Sequence, residues 1–182
     1  MTLYRSEHLW AGHELDAFSG GDRLLDTWLR RSARHAEAAN TGRTFVWVDP
    51  PAPAVLAYFT LAAHLVRRTD IPRAIGHGSP DAIPAVLLAR LALDRSLQGK
   101  GLGGQLLLDA LERAVEASQL AGARLVVVDA IDEPAVTFYR RHGFRPCPDP
   151  RRLVRRTSDV AAALGTGLRR DTAPTHSTRT SR

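Results

Sequence analysis

Four glycines occupy six consecutive positions in the segment "QGKGLGG", at Gly99, Gly101, Gly103 and Gly104. The segment lies between the apolar run "AVLLARLALD" and the helical pattern "LLLDALERAV". A strand, a glycine-rich loop and a helix in this order are typical of a phosphate site, because backbone N–H groups can approach an anion and the helix N-terminus adds partial positive charge. An ordinary turn needs far fewer glycines. The segment therefore predicts an anion-binding loop.

The chain before the loop predicts one helix and three strands. Asp22 is the expected N-cap of a helix over "RLLDTWLRRSARHAEAA", whose apolar residues fall on one face. The runs "TFVWVD" and "VLAYFTLAAHLV" predict a strand pair joined by the turn "PPAPA", and "AVLLARLALD" predicts the third strand. The segment 67–84 is rich in proline, glycine and charge, and is expected to be a loop.

The chain after the loop predicts a parallel strand–helix–strand unit. Helical spacing continues to about Leu120 and stops at Gly122, and the run "RLVVVDA" is typical of a strand buried on both faces. "EPAVTFYRRHG" predicts a short helix, and "FRPCPDPRRLVRR" predicts irregular edge strands. The fold class is thus α/β with a mixed sheet, antiparallel in its first half. Residues 1–160 are expected to form one domain, followed by a disordered basic tail, 161–182.

Composition excludes several classes of protein. The first ten residues carry charge in place of an apolar core, so no secretory signal is expected, and the longest apolar run, "AVLAYFTLAAHLV", is too short to span a membrane. The single cysteine, Cys147, rules out an internal disulfide and a cysteine-based zinc site, and no metal site is predicted. We therefore expect a cytoplasmic protein without membrane contact.

Three phosphate-binding motifs compete for the glycine loop. The nucleotide P-loop fails, because Gly101 stands where serine or threonine is required and Asp94 stands where the first glycine is required. The dinucleotide pattern GxGxxG matches Gly99, Gly101 and Gly104, and Asp129 ends the next strand. However, "RSLQ" separates the expected strand end from the first glycine, and too little chain remains for a second nucleotide-binding half. The third motif is QxxGxG, formed by Gln98, Gly101 and Gly103.

With this third motif, "RLALDRSLQGKGLGGQLL" followed by "FYRRHGF" resembles the GNAT superfamily of acetyl-CoA-dependent N-acetyltransferases. The resemblance implies that acetyl-CoA lies between two splayed central strands, "LARLALD" and "RLVVVDA". It also implies that backbone groups near Leu91 to Leu93 contact the pantetheine arm and the thioester. The residues expected to bind the coenzyme are Leu91, Ala92, Leu93, Gln98, Gly99, Lys100, Gly101, Leu102, Gly103 and Gly104.

The resemblance also implies a general acid. Tyr139, in "TFYRRHGF", matches the tyrosine that lies near the sulfur in the family, and it would protonate the departing thiolate. The helix pattern alone favours a core aromatic beside Phe138 and Phe144 for Tyr139, and the glycine loop shifts the preference to the acid role. A general base is left open, with several candidates: His64, His77, His142, Asp94, Asp129, Asp132 and Glu133. An α-amino group, with a pKa of about 7.7–8.0, needs less help from a base than a lysine side chain does.

A narrower resemblance covers about 18–154. "FSGGDRLLDTWLRRSA", "VLAYFTLA" and "IPAVLLARLALDRSLQGKGLG" are similar to the acetyltransferase toxins of type II toxin–antitoxin modules. This implies acetylation of the amino group of aminoacyl-tRNA, a block of translation, a ribbon-helix-helix antitoxin and a homodimer. The formal charge of +6 suits an RNA substrate. The predicted RNA-binding residues are Arg34, Arg67, Arg68 and Arg90. Two alternatives remain, a GNAT enzyme for a small-molecule or protein amine and a GNAT fold without activity.

Overall fold

The computed structural model describes residues 4–165, which form one seven-stranded mixed sheet with helices on both faces. The strand order across the sheet is β1-β2-β3-β4-β5-β7-β6, and only the central β4–β5 pair is parallel. The strands are β1 (Glu7–His8), β2 (Arg43–Trp47), β3 (Ala57–Arg67), β4 (Ala82–Leu93), β5 (Leu125–Asp129), β6 (Arg145–Pro146) and β7 (Arg152–Arg156). The helices are α1 (Arg23–Arg31), α2 (Ala33–Ala38), α3 (Arg73–Gly76), α4 (Leu102–Ala121), α5 (Glu133–Arg141) and α6 (Thr157–Ala163). The α/β class and the mixed sheet predicted from the sequence are confirmed.

The helix signals in the sequence mostly act where they were expected. The Asp22 carboxylate accepts hydrogen bonds from the N–H groups of Leu24 and Leu25, so it caps α1 as predicted. Gly122 ends α4 in the left-handed conformation, with φ of 73°. The predicted single helix after Asp22 is wrong, because the chain breaks at Ser32 into α1 and α2.

The segment 67–84 is more ordered than a loop. β3 continues to Arg67, a 3-10 turn covers Arg68–Asp70, α3 follows, and β4 begins at Ala82. The prediction that the last strands lie at the edge is wrong for β7, because it lies between β5 and β6 and buries Leu153 and Val154 completely. The three arginines in the five residues of β7 made an exposed strand the natural prediction from the sequence.

A β-bulge in β4 sets the geometry of the sheet centre. Thr60 of β3 lies opposite Arg90, whereas Leu61 lies opposite Leu88, so Ala89 has no partner across the strand pair. The parallel pairing of β4 with β5 also ends here, at Leu88 and Val128. Beyond this point β4 continues against β3 alone as far as Leu93. The two central strands therefore diverge, and one edge of β4 is left without a neighbouring strand.

The main core lies between the sheet and α4. Leu106, Leu107, Ala110 and Leu111 of α4 are buried against apolar side chains of β3, β4 and β5. α6 covers the end of the same core through Val160, and it contacts α4. The boundary predicted between residues 160 and 161 falls inside α6. The predicted tail beyond residue 165 lies outside the described residues.

Replacing Leu107 by alanine tests the packing of α4. Leu107 is fully buried, so Leu107→Ala is expected to lower the free energy of unfolding by about 2–5 kcal/mol through lost transfer energy and a cavity. Leu120 lies on the same helix and is 92% exposed, so Leu120→Ala serves as the matched control, with a change within about 0.5 kcal/mol. Urea denaturation of both variants measures the difference, and equal losses would contradict this account of the core.

Candidate active site

A cavity of about 270 Å³ opens where β4 diverges from β5. It combines three parts of the chain: the end of β4 with the glycine loop, the start of α1, and the segment after β5. Its lining residues are Gly20, Asp22, Leu25, Asp26, Leu91, Ala92, Leu93, Gln98, Gly103, Leu106 and Ile131. Five of the ten residues predicted to bind the coenzyme thus line one cavity, and the other five form the loop and the first turn of α4 beside it.

The segment Ser19–Gly20 contributes Gly20 to one wall of this cavity and is hydrogen-bonded to the residues directly after β4. The Ser19 N–H donates to the Asp94 carboxylate at 2.9 Å, and the Ser19 carbonyl accepts from the Arg95 N–H at 2.9 Å. Burial acts to raise the pKa of Asp94, but hydrogen bonds from Ser19 and Ser96 outweigh it and hold that pKa below its usual value. Asp94 therefore serves to hold this wall in place.

Gln98 completes the same wall. Its side-chain amide donates to the Gly20 carbonyl at 2.7 Å and to the Leu93 carbonyl at 3.0 Å. Both amide hydrogens are therefore used within the protein, where they join the wall to the end of β4. The Gln98 side chain thus holds the cavity wall in place. Its amide oxygen can still accept a hydrogen bond from another partner.

The glycine loop has the backbone of an anion cradle. Gly99 and Gly101 have φ of 73° and 75°, the left-handed region that side chains rarely adopt. Gly101 is the N-cap of α4 and has no side chain to bond the first N–H groups of the helix. These N–H groups and the helix dipole are thus available to an anion. The positive φ is the reason why these two positions require glycine. Lack of space is not, because a Cβ at either position would meet no atom within 4 Å.

Tyr139 lies on α5 beside the main core. The residue is 8% exposed, and its ring makes edge contacts with Phe138 and Phe144 at 5.3 and 5.6 Å between centroids. Burial raises the pKa of the Tyr139 hydroxyl well above its usual value, so the group stays protonated at neutral pH. Within residues 4–165 this hydroxyl makes no hydrogen bond and does not line the cavity. Phe138, the neighbour of Tyr139, lies against Gly103 at the cavity wall.

The four predicted RNA-binding arginines lie in three places. Arg90 lies beside the cavity, with its guanidinium 3.9 Å from the centre of the Trp28 ring, and it forms no ion pair within the described chain. Arg67 and Arg68 lie at the far end of β3, where Arg68 pairs with Asp81. Arg34 lies on α2 and donates to the carbonyls of His13 and Ala11. The fold does not bring the four into one cluster.

Arg67 is seven residues along β3 from Thr60, the partner of Arg90, so the two arginines are about 23 Å apart at ~3.3 Å per residue. Arg68, Arg73 and His77 line a second cavity at this far end, of about 450 Å³. The basic surface near the β3–β4 hairpin therefore has two separate parts, at opposite ends of the same strands.

Most of the candidate general bases are engaged elsewhere. Asp129 pairs with Arg152 at 2.7 Å, Asp132 caps α5, and the His142 ring bonds the Phe138 carbonyl at 2.8 Å. Glu133 pairs with Arg151 at 3.6 Å. His77 lies in the second cavity, at the far end of β3. The Nε2 of His64 is buried without a hydrogen-bond partner within the described residues. Burial, followed by the nearby charge of Arg152, lowers the pKa of His64 below its usual value. His64 is not among the residues that line the cavity.

Comparison with known proteins identifies the family. A family model described as an acetyltransferase (GNAT) domain matches residues 62–146. The tRNA-acetylating toxin of Mycobacterium tuberculosis is 35% identical over 153 residues, which cover 84% of this chain and 91% of the relative. The chain belongs to the GNAT acetyltransferases, in the family of this toxin.

Solved structures of GNAT toxins share the fold. The structure of AtaT complexed with acetyl-methionyl-tRNAfMet has a TM-score of 0.81 and 29% identity, with 88% of this chain and 99% of that chain covered. A mutant of AtaT bound to the C-terminus of the antitoxin AtaR and to acetyl-CoA has a TM-score of 0.77 and 27% identity, with coverage of 90% and 99%. The GNAT fold predicted from "QGKGLGG" and "FYRRHGF" is thereby confirmed. No helix within residues 4–165 is long and apolar enough to cross a bilayer.

The α1 side of the cavity in this GNAT chain was not predicted from the sequence. Gly20, Asp26 and Ile131 line it but were not predicted. Asp26 lies one turn after the N-cap Asp22 on the side of α1 that faces the sheet, and it is buried. An acidic residue on the apolar face of a helix was the available signal, because such a residue is seldom buried without a specific partner.

Two glycine substitutions in the GNAT loop test separately the backbone conformation at Gly101 and the space beside Gly103. Gly101→Ala places a side chain at φ of 75°, so it is expected to cost about 1–2 kcal/mol and lower the melting temperature by ~2–8 °C. Gly103 is helical, and an added Cβ would make an ordinary contact with Phe138 at 3.7 Å. Gly103→Ala is therefore expected to keep the stability but weaken acetyl-CoA binding, because it narrows the cavity. Melting curves and calorimetry of acetyl-CoA binding check both, and a stable Gly101→Ala with full affinity would contradict the loop's role.

Proposed function

We propose that this chain transfers the acetyl group of acetyl-CoA to the α-amino group of an aminoacyl-tRNA and thereby blocks translation. The observation that carries the proposal is the 35% identity to a tRNA-acetylating toxin over 91% of that relative's length. The cavity adds physical support, because β4 and the glycine loop line one side and α1 lines the other. A donor and an acceptor can thus reach the same space from two directions.

Acetyl-CoA fits the part of the cavity built by β4 and the glycine loop. Its pyrophosphate would lie on the loop formed by Gln98, Gly99, Lys100, Gly101, Leu102, Gly103 and Gly104, against the N–H groups at the start of α4. Its pantetheine arm would follow the free edge of β4 at Leu91, Ala92 and Leu93, where β5 no longer pairs. The coenzyme supplies an activated thioester carbonyl, and the protein supplies its orientation.

Two groups of this chain would act on the thioester. Backbone N–H groups of the unpaired edge at Leu91 to Leu93 would stabilise the negative charge that develops on the carbonyl oxygen. Tyr139 would protonate the thiolate as the C–S bond breaks. Burial keeps this hydroxyl protonated at neutral pH, so it has a proton to donate. Within residues 4–165 the hydroxyl makes no hydrogen bond, and the neighbouring Phe138 lies at the cavity wall against Gly103.

The arginines would hold the RNA. Arg90, stacked on Trp28 beside the cavity, would contact a phosphate next to the aminoacyl end. Arg67 and Arg68 would contact the acceptor stem about 23 Å away, and Arg34 would add a contact from α2. Contacts of this kind position RNA without reading its sequence.

The same proposal covers the assembly and setting of the protein. Residues 4–165, with α6 continuing across the predicted boundary, would act as a single catalytic domain. The neutralising partner would be an antitoxin of the ribbon-helix-helix type, the chain would form a homodimer, and the protein would work in the cytoplasm without membrane contact. The antitoxin bound to the solved AtaT mutant supports a protein antitoxin as the partner.

Replacing Tyr139 by phenylalanine tests the reaction. Wild-type protein is expected to transfer labelled acetyl to charged tRNA and not to uncharged tRNA. Tyr139→Phe keeps the ring contacts with Phe138 and Phe144, so the fold and the acetyl-CoA affinity should be retained while kcat falls by about 10²–10⁴. No transfer to any charged tRNA would refute the proposed substrate, and an unchanged kcat would refute the acid role of Tyr139.

Salt dependence tests the RNA contact at Arg90. Arg90→Ala is expected to reduce the slope of log kcat/KM against log salt by about one, because one phosphate contact is lost. Arg43, paired with Glu37 at 3.0 Å on β2, gives the control variant Arg43→Ala, which should leave the slope unchanged. If turnover is independent of salt in the wild type, the acceptor is a small amine and not an RNA.

A further inference from the structure

Asp26 is a buried carboxylate that faces the cavity. Its residue is 7% exposed, and its Oδ1 accepts one hydrogen bond, from the Gly20 N–H at 2.8 Å. No other hydrogen bond and no ion pair to this side chain occurs within residues 4–165. The second carboxylate oxygen therefore has no protein partner, although the side chain lines a cavity that also includes Leu91, Leu93 and Gly103.

The second carboxylate oxygen of Asp26 is not sealed inside the core, and the side chain lines the cavity, so this oxygen is open to a group that enters there. A charged oxygen in such a place can accept a strong hydrogen bond from a cation or an N–H donor. Asp22, one turn earlier, is different, because its carboxylate caps two N–H groups of α1. Asp26 performs no such capping, so its position at the cavity points to a ligand that brings a cation or an N–H donor.

Asp26 also lies close to the proposed path of the thioester. A Cβ added to Gly20 would be 3.1 Å from Asp26 Oδ1 and 3.2 Å from the Leu93 carbonyl oxygen. Both oxygens therefore lie around the same point beside Gly20. The carboxylate is thus next to the end of the free edge of β4, where the donor is proposed to bind.

We propose that Asp26 binds the amine of the acceptor and accepts the proton that the nitrogen loses during acetyl transfer. This inference rests on the proposed function. It assigns a residue to the general base, which the sequence left open. Asp22, at the mouth of the same cavity, adds negative charge that favours an amine over a neutral or anionic group.

Asp26 and Tyr139 account for both protons that move in the reaction. The amine nitrogen forms a bond to the thioester carbon, and positive charge develops on the nitrogen beside Asp26. The C–S bond then breaks, the thiolate takes the Tyr139 proton, and the nitrogen passes its surplus proton to Asp26. Water carries one proton away from Asp26 and returns one to Tyr139, so the products are the N-acetylated acceptor and free coenzyme A.

The variant Asp26→Asn tests this role, because the asparagine oxygen can still accept from the Gly20 N–H while the charge is lost. Two acceptors are used with each protein, charged tRNA and a free amino-acid methyl ester, which carries the same α-amino ester group without RNA. We expect kcat/KM for both acceptors to fall by about 10–100-fold, the range for hydrogen bonds to charged groups, with the Kd of acetyl-CoA and the melting temperature unchanged. Asp16→Asn, the same change at an exposed aspartate, should leave all values unchanged.

The outcomes separate this inference from the proposed function. If the ester is acetylated and charged tRNA is not, the tRNA proposal fails. The role of Asp26 is then judged from the kcat/KM of the wild type and of Asp26→Asn with the ester. If Asp26→Asn matches the wild type with either acceptor, the inference is wrong. If the wild type acetylates neither acceptor, both proposals are wrong.

A purely structural role for Asp26 is tested separately. If Asp26→Asn lowers the melting temperature, Asp26→Glu provides the second measurement, since it keeps the charge and changes the geometry. Greater kcat/KM for the glutamate variant than for the asparagine variant, at equal acetyl-CoA affinity, supports binding of the amine. Equal rates for the two variants would overturn it.

Discussion

The bulge at Ala89 is the local distortion on which the site depends. Before it, the even-numbered Val86 and Leu88 face the main core, and after it the odd-numbered Leu91 and Leu93 do so. A regular strand would have directed Arg90 into that core, where an unpaired guanidinium is costly. The bulge directs Arg90 to the opposite face, over Trp28, and it coincides with the end of β4–β5 pairing. One extra residue thus opens the sheet and places a cation beside the opening.

The second requirement is that the N-terminal part of the chain closes this opening. Four backbone-directed hydrogen bonds fix Ser19 and Gly20, and they come from or go to Asp94, Arg95, Asp26 and Gln98. Three of these partners belong to the segment between β4 and the glycine loop. The wall of the cavity is consequently set by the same short segment that presents the coenzyme loop. This explains how residues 75 positions apart in sequence act in one site.

Local signals in the sequence were sufficient for the elements around the site but not for its far side. The Asp22 cap and the stop at Gly122 depend only on neighbouring backbone groups, so the sequence pattern predicts them. The bulge depends on the register of two strands, and the burial of β7 depends on its insertion between β5 and β6, neither of which leaves a periodic signal. Asp26 left one local signal, an acidic residue on the apolar face of α1, but its partner Gly20 and its cavity are defined only in three dimensions.

The charges around the cavity favour a particular kind of acceptor. Asp22 and Asp26 line the cavity itself. Arg90, which has no ion pair within residues 4–165, lies just outside the cavity against Trp28 of α1. A polyamine would satisfy the carboxylates but would be repelled by the arginine, and a simple phosphate ester would satisfy the arginine but not the carboxylates. An acceptor with an amine at its end and a phosphate a short distance away satisfies both. An aminoacyl-tRNA has this arrangement, so the distribution of charge supports the same substrate as the family relationship, through an independent physical argument.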